Sequence, residues 1–394
     1  MDETMKYSVV NSPYFNTVTS RSSFRARFGA EDRKLFPQLH DVGASDWGRD
    51  HLFACRVVRQ DAQHSILPIL SPYQFPTDLQ SSPEIVKFLN GPDAVHMTLS
   101  EHRLVRDPTC GVSLGQVWGA LAMFKGSEER RGRDSSRVFL EESDSEAEPS
   151  PKRFRERIQR PAQRGYVDSR EMQVGSSSPA AEGSQGTSSV EFIDAESHRL
   201  LASQEDETLR LVTCVIRHIL YFAPPQDAGN MPAVVEFRDA KTRLSTRTPK
   251  LKRKIIAIDD GGLCLREESR GIFKVLKSRV AILEAKRQFQ CLENGQPTIS
   301  DNCFAQMTCE ALVARLADPF KELQSNRVLL INATQHYMCF LDFDISDEYL
   351  LDFESDAPTC FLHVSSTPWF DLSSKSGREQ VVMNLCGIMR WGQR

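Results

Sequence analysis

Two apolar runs that each end in acid are the parts of this chain best suited to chemistry. The first is Ile255-Ile256-Ala257-Ile258, followed by Asp259-Asp260-Gly261-Gly262. The second is Val280-Ala281-Ile282-Leu283, followed by Glu284-Ala285-Lys286. Residues two apart in a strand share a face, so Glu284 and Lys286 are expected to point into one site, beside an aspartate from the preceding strand. Two carboxylates can hold a divalent cation, while an ammonium orients a water or steadies developing phosphate charge. Such a set is what phosphodiester hydrolysis requires. Pleat alternation puts Asp260 on the face of Ile256 and Ile258, and Asp259 on the other. Asp260 is favoured as the ligand and Asp259 is kept beside it. Plainer readings stand next to these: Asp-Asp-Gly-Gly as a simple turn, and Glu-Ala-Lys-Arg-Gln as the start of an exposed helix.

The Asp…Glu-x-Lys pattern resembles the signature of the PD-(D/E)XK nuclease superfamily. That resemblance implies Mg²⁺ or Mn²⁺ as cofactor, Asp260 and Glu284 as metal ligands, and Lys286 on the attacking water or scissile phosphate. A partly desolvated lysine near a cation is expected to have a lowered pKa. RecB-like members carry Gln-x-x-x-Tyr in the next helix. Here Gln306-Met307-Thr308-Cys309-Glu310 keeps the glutamine, with Glu310 one turn on, and lacks the tyrosine. The first helix of that fold often supplies a further acid, for which Glu207 and Glu205 are the candidates. Gln290 is a weaker candidate on the tail of the motif strand. The catalytic set is therefore Asp260, Glu284, Lys286 and Gln306, with Asp259, Asp260, Glu284 and Glu207 as metal candidates.

The elements needed to position these groups can be read around them. Leu209, Val212, Ile216 and Ile219 form one stripe of a helix spanning His198 to Phe222, ended by Pro224-Pro225. Val234 to Leu244 reads as one strand, followed by a basic turn and then the two motif strands. Those strands are joined through Gly261-Gly262. Ser300 and Asp301 offer an N-cap for a helix to Leu316. Arg327 to Ile345 holds two strands, Phe361 to Val364 another, and Ser376 to Trp391 a closing helix. The order is that of the superfamily's α-β-β-β-α-β core, so the expected class is α/β: a restriction-endonuclease-like central mixed sheet flanked by helices. The resemblance covers roughly residues 196–394. The stretch Ala333 to Phe340 also resembles a group of fungal proteins, which brings no activity with it.

The N-terminal half reads differently. Residues 1–45 have few apolar clusters and are expected to be a disordered tail, followed by a small module over 46–125. Residues 126–193 alternate basic, acidic and Gly/Ser-rich tracts, a composition too polar to fold alone. Pro151-Lys152-Arg153-Phe154-Arg155 within this expected linker resembles a nuclear localisation signal, with an ordinary charged linker as the alternative.

The chain has 394 residues, a formal net charge of −4 and 40% hydrophobic residues, ordinary for a soluble protein. It therefore has no global attraction for nucleic acid, and binding would rest on local patches and a metal. One such patch is Lys250, Lys252, Arg253 and Lys254, able to contact phosphates or to form a solvated loop. None of the 10 cysteines forms a Cys-x-x-Cys pair. They read as small buried hydrophobes in a reducing compartment. The polar Met1-Asp2-Glu3-Thr4 start is unlike a signal peptide, and no membrane association is expected. Asp342 to Asp356 starts like a calcium loop but has Asp347 and Phe353 where glycine and glutamate are needed; it reads as a solvated acidic face or a protein contact. The chain lacks a phosphate-binding glycine loop and kinase motifs, so no small-molecule cofactor is expected. Two functions remain: a metal-dependent nuclease acting on nucleic acid, and a non-catalytic nuclear protein-interaction module that keeps a nuclease-like scaffold.

Overall fold

Scattered aromatic anchors, rather than periodic stripes, organise the first part of the chain in the computed structural model. It describes residues 12–60, 63–125, 204–226, 231–293, 296–318, 322–323 and 326–394. Helices α1 (Tyr14–Thr17) and α2 (Arg21–Ala30) come first, the second capped by the Ser20 hydroxyl, which accepts from the Ser23 amide. Tyr14, Phe15 and Phe24 are buried, and the Tyr14 hydroxyl donates to the Val57 carbonyl at 2.6 Å. The chain then forms α3 (Arg49–Ala54), β1 (Val57–Arg59), α4 (Pro83–Asn90), α5 (Glu101–Leu104) and α6 (Gly111–Lys125).

The second part begins with α7 (Gln204–Phe222), whose Leu211, Val212, Val215, Ile216 and Ile219 are buried on one stripe. There follow β2 (Ala233–Arg238), β3 (Arg243–Arg247), β4 (Lys254–Ile258), β5 (Gly261–Ser269) and β6 (Ile272–Lys286). A small hairpin, β7 (Cys291–Glu293) and β8 (Gln296–Thr298), precedes α8 (Asp301–Leu316). The N-cap expected at Ser300 is present, its hydroxyl accepting from the Cys303 amide at 3.3 Å. Last come β9 (Arg327–Thr334), β10 (Tyr337–Asp344), α9 (Asp347–Asp352), β11 (Leu362–Ser366), β12 (Phe370–Asp371) and α10 (Lys375–Gly392).

Eight strands make one mixed sheet in the order β1-β11-β10-β9-β6-β5-β2, with β12 added beside β10. The β6–β9 and β1–β11 pairs are parallel and the others antiparallel. The fold is thus α/β with a mixed central sheet. Side-chain alternation splits its core in two. Ile282, Val328 and Leu330 face α8 and the N-terminal aromatics; Ala281, Leu283, Leu329 and Ile331 face α6, α7 and α10. No helix is long and apolar enough to cross a membrane among the described residues.

Several expectations are corrected. Residues 12–45 are not an unstructured tail, because their widely spaced aromatics plug into the core on the α8 side. Residues 46–125 are not a separate module: β1 extends the main sheet by pairing Val57 with Leu362 and Arg59 with Val364. Val234 to Leu244 is two strands in different sheets, broken at 239–242. The acidic run is solvated in part, with Asp347, Glu348 and Asp356 exposed, but two of its acids are structural. Asp342 is buried against Arg327 at 2.9 Å, and the buried Glu354 accepts the Lys250 amide at 2.7 Å. The tracts at 126–193, including the basic cluster, lie outside the described residues.

Candidate active site

Asp260 lies at the threshold of β5 rather than at the tip of a preceding strand. The segment Asp259-Asp260 leaves β4 and enters the large sheet through Gly261 and Gly262, which pair with Leu283 and Ile282 of β6. The approach is too close for a side chain: a Cβ on Gly262 would stand 2.3 Å from the Ala281 carbonyl oxygen, at φ +157°. The glycines are therefore strand residues in a crowded register, and the simple-turn reading fails. The helix reading of Glu284-Ala285-Lys286 fails as well, since all three lie in β6 and pair in parallel with Asn332, Ala333 and Thr334 of β9.

Glu284 and Lys286 share the face towards α8, and their side chains meet Nζ to Oε1 at 2.6 Å. From α8, Gln306 completes the link. Its Oε1 accepts from Lys286 Nζ at 2.8 Å, and its Nε2 donates to Glu284 Oε1 at 2.7 Å and to Glu310 Oε1 at 3.0 Å. Gln306 and Glu310 lie one turn apart and so reach the same spot. Asp260 joins through the backbone, its Oδ2 accepting the Ala285 amide at 3.0 Å. Its Oδ1 is held by Lys241 Nζ at 2.8 Å.

These acids are enclosed: Asp260 is 1% exposed, Glu284 0% and Glu310 1%. Burial raises the Glu284 pKa to about 7, Lys286 opposing the rise and Asp260 adding to it. Glu310 is pushed well above the ordinary carboxylate range by burial and by Glu284. For Lys286, burial is the largest single influence and acts to lower the pKa, but the charges and hydrogen bonds around it, Glu284 foremost, together outweigh it and the net direction is up. Lys241 follows the same logic, burial lowering its pKa and the bond to Asp260 raising it further.

Three carboxyl groups and two ammonium groups are packed together, and burial with mutual repulsion favours the protonated forms of Glu284 and Glu310. Glu284 Oε2 and Glu310 Oε2 are buried without a hydrogen-bond partner. An all-oxygen donor set with uncapped carboxylate oxygens fits a hard cation such as Mg²⁺ or Mn²⁺. Asp260 and Glu284 could hold it, with Glu310 beside them; among the described residues the trio whose ligand atoms all lie within 4.8 Å of one another is elsewhere, at His96, Asp107 and Cys110.

Asp259 has another task and is corrected as a metal candidate. Arg238 grips it at 2.8 and 3.1 Å, and the amides of Thr242 and Gly261 donate to it at 2.9 and 3.2 Å. Both of its oxygens are thereby used. Glu207 is corrected too: its carboxylate pairs with Arg210 at 3.7 Å, and no polar contact joins it to Asp260 or Glu284. Its neighbour Glu205 lies close enough to Lys241 to help hold that proton. Gln290 accepts from the Ser300 hydroxyl at 2.7 Å, at the start of α8.

The basic turn sits at the far end of β4, about 16 Å from Asp260 for five strand residues. Arg253 is spent there on the carbonyls of Phe36, Pro37 and Leu39, at 2.6–2.8 Å. Lys250, Lys252 and Lys254 are exposed. Sequence reasoning missed Lys241 outright, because it lay inside the supposed strand from Val234 to Leu244. It also missed Asn332, the buried β9 partner of Glu284, whose Oδ1 lacks a hydrogen-bond partner. No family model, curated protein or solved structure matches this chain.

Proposed function

We propose that this chain is a metal-dependent phosphodiesterase acting on nucleic acid, on a scaffold of the PD-(D/E)XK kind. The observation that carries the reading is the convergence of Asp260, Glu284, Lys286 and Gln306 across β5, β6 and α8. The topology supports it. With the β3–β4 hairpin set aside as an insertion, α7-β2-β5-β6-α8-β9 reads α-β-β-β-α-β, with β6 and β9 parallel.

Asp260 and Glu284 would hold Mg²⁺ or Mn²⁺, which when bound supplies a Lewis acid for a phosphate oxygen. Lys286 carries the positive charge that orients a water or steadies the phosphorane-like charge build-up. Gln306 fixes Lys286 and Glu284 relative to each other. Purified protein should cleave labelled single- or double-stranded DNA or RNA when Mg²⁺ or Mn²⁺ is added. Lys286→Ala and Glu284→Gln should each lower that rate on the order of 10²-fold or more. Absence of metal-dependent cleavage on all four substrates rejects the proposal, and so does cleavage that survives both substitutions.

A second reading, a binding protein that keeps the scaffold without catalysis, is favoured by one observation. Lys241 already neutralises Asp260, and the acids are closed from solvent. Under that reading the Lys241–Asp260 pair is a permanent brace, and Mg²⁺ leaves the protein's stability unchanged.

A further inference from the structure

We infer that His96, Asp107 and Cys110 form a zinc site, remote in chain position from the acidic cluster and independent of the nuclease reading. One ligand atom from each, with all three partly buried, lies within 4.8 Å of the others, the only such trio among the described residues. His96 Nε2 stands 3.8 Å from Cys110 Sγ and 3.9 Å from Asp107 Oδ2. The second separation is too long for a hydrogen bond. Both lie within a few tenths of an ångström of the edges of a zinc tetrahedron, about 3.3–3.6 Å for bonds of about 2.0–2.3 Å. The Nε2–Sγ pair is also within reach of a weak sulfur hydrogen bond, so the spacing admits an ion among the three without excluding direct contact between His96 and Cys110.

The backbone brings the ligands to one side. His96 opens a 3₁₀ turn, while Asp107 and Cys110 flank the turn between α5 and α6. The Asp107 carbonyl accepts the amides of Cys110 and Gly111 at 3.1 and 2.9 Å. Its Oδ1 takes the Thr109 amide and hydroxyl at 2.8 and 2.6 Å, leaving Oδ2 for the ion. With metal on Nε2, the imidazole proton moves to Nδ1. The Asp93 carboxylate, 4.0 Å from Nδ1, is the group placed to accept it, in exchange for the Asp93 amide now donating there. A nitrogen, a thiolate and one carboxylate select Zn²⁺ over the hard cations suited to Asp260 and Glu284. Three protein ligands leave a fourth position for water. The ion would tie the His96 turn to the start of α6, whose Leu114, Val117 and Trp118 pack in the same core as α7.

The test is cobalt substitution in the full-length, reduced protein, backed by zinc analysis and competition with a chromophoric chelator. Wild type should take up Co²⁺ with a thiolate-to-cobalt charge-transfer band that saturates at one equivalent and that Zn²⁺ displaces. Cys110→Ser should abolish the band. His96→Ala should weaken Zn²⁺ binding by more than the about 10–100-fold typical of losing an outer-shell partner. Glu284→Gln should leave the band intact, because carboxylates alone give none. A folded wild type that shows no thiolate band overturns the inference without any variant. Zinc affinity unchanged in both Cys110→Ser and His96→Ala overturns it as well.

Discussion

The Oδ2 oxygen of Asp260 accepts the main-chain N–H of Ala285, so the acid entering β5 is bonded to the middle of the Glu-Ala-Lys triplet on β6. Its neighbour Asp259 faces the other way, into Arg238. The two adjacent aspartates should therefore fail differently. Asp259→Ala removes the buried acid that pairs with the half-buried Arg238 and should cost about 1–3 kcal/mol in urea denaturation. It should leave the thermal response to Mg²⁺ in place. Asp260→Asn should abolish the Mg²⁺ response. Equal loss of that response in both would mean the assignment is wrong.

The raised pKa of Glu284 sets a pH dependence. Its folded value of about 7 exceeds the ordinary 4.5, so between these the folded protein holds more protons than the unfolded chain. Stability must then fall as pH rises through that window, by up to about 3 kcal/mol for this group. Glu284→Gln should flatten the fall when stability is measured by urea titration at pH 5 and pH 8. Mg²⁺, by compensating the ionised acid, should stabilise wild type more at the higher of these. Parallel pH curves for variant and wild type would remove Glu284 as the source.

Lys241 offers a direct test of whether the acids are braced or merely occupied. Its side chain is 44% exposed while that of Asp260 is buried. Lys241→Ala should therefore cost about 1–2 kcal/mol, between the values for surface and buried pairs. Under the proposed function, Mg²⁺ recovers that loss and raises the melting temperature of the variant more than that of wild type. Under the braced reading, Mg²⁺ has no effect on either protein.

Gly262 and Gly271 should respond unequally to alanine. A Cβ at Gly262 collides with the Ala281 carbonyl, whereas none of the surrounding atoms comes within 4 Å at Gly271. Gly271 has φ +73° at the hairpin tip, so its alanine variant pays only for the left-handed backbone, about 1–2 kcal/mol. Gly262→Ala should cost more than about 2 kcal/mol and blunt the Mg²⁺ response, because the β5 register carries Asp260. Comparable melting temperatures for the two variants would contradict this.

A fragment spanning residues 196–394 should not fold by itself. It lacks Tyr14, Phe24 and Phe53, which fill the core beneath α8, and β1, which covers the β11 edge. Circular dichroism should give one cooperative thermal transition for the full chain and none for the fragment. A cooperative fragment would restore the two-part organisation expected from composition.

The elements of residues 204–394 were legible wherever apolar spacing was dense, as in the α7 stripe and the β9 run from Val328 to Ile331. The side-by-side placement of Glu284 and Lys286 followed from strand alternation alone. The break at residues 239–242 was not legible, because Phe237 and Leu244 keep a strand-like texture across it, and Lys241 was lost with it. The choice between Asp259 and Asp260 needed the position of Arg238, a tertiary fact. The N-terminal aromatics were hidden by their spacing: Tyr14, Phe24 and Phe36 anchor long polar stretches one at a time and leave no period to detect.

The pairing of Val57 with Leu362 also bears on how the protein is made. On the ribosome, Val57 of β1 emerges 305 residues (362 − 57) before its neighbour Leu362. The aromatics of the first segment must wait while the intervening chain is made before their seat exists, a long interval in which a holdase chaperone would find them.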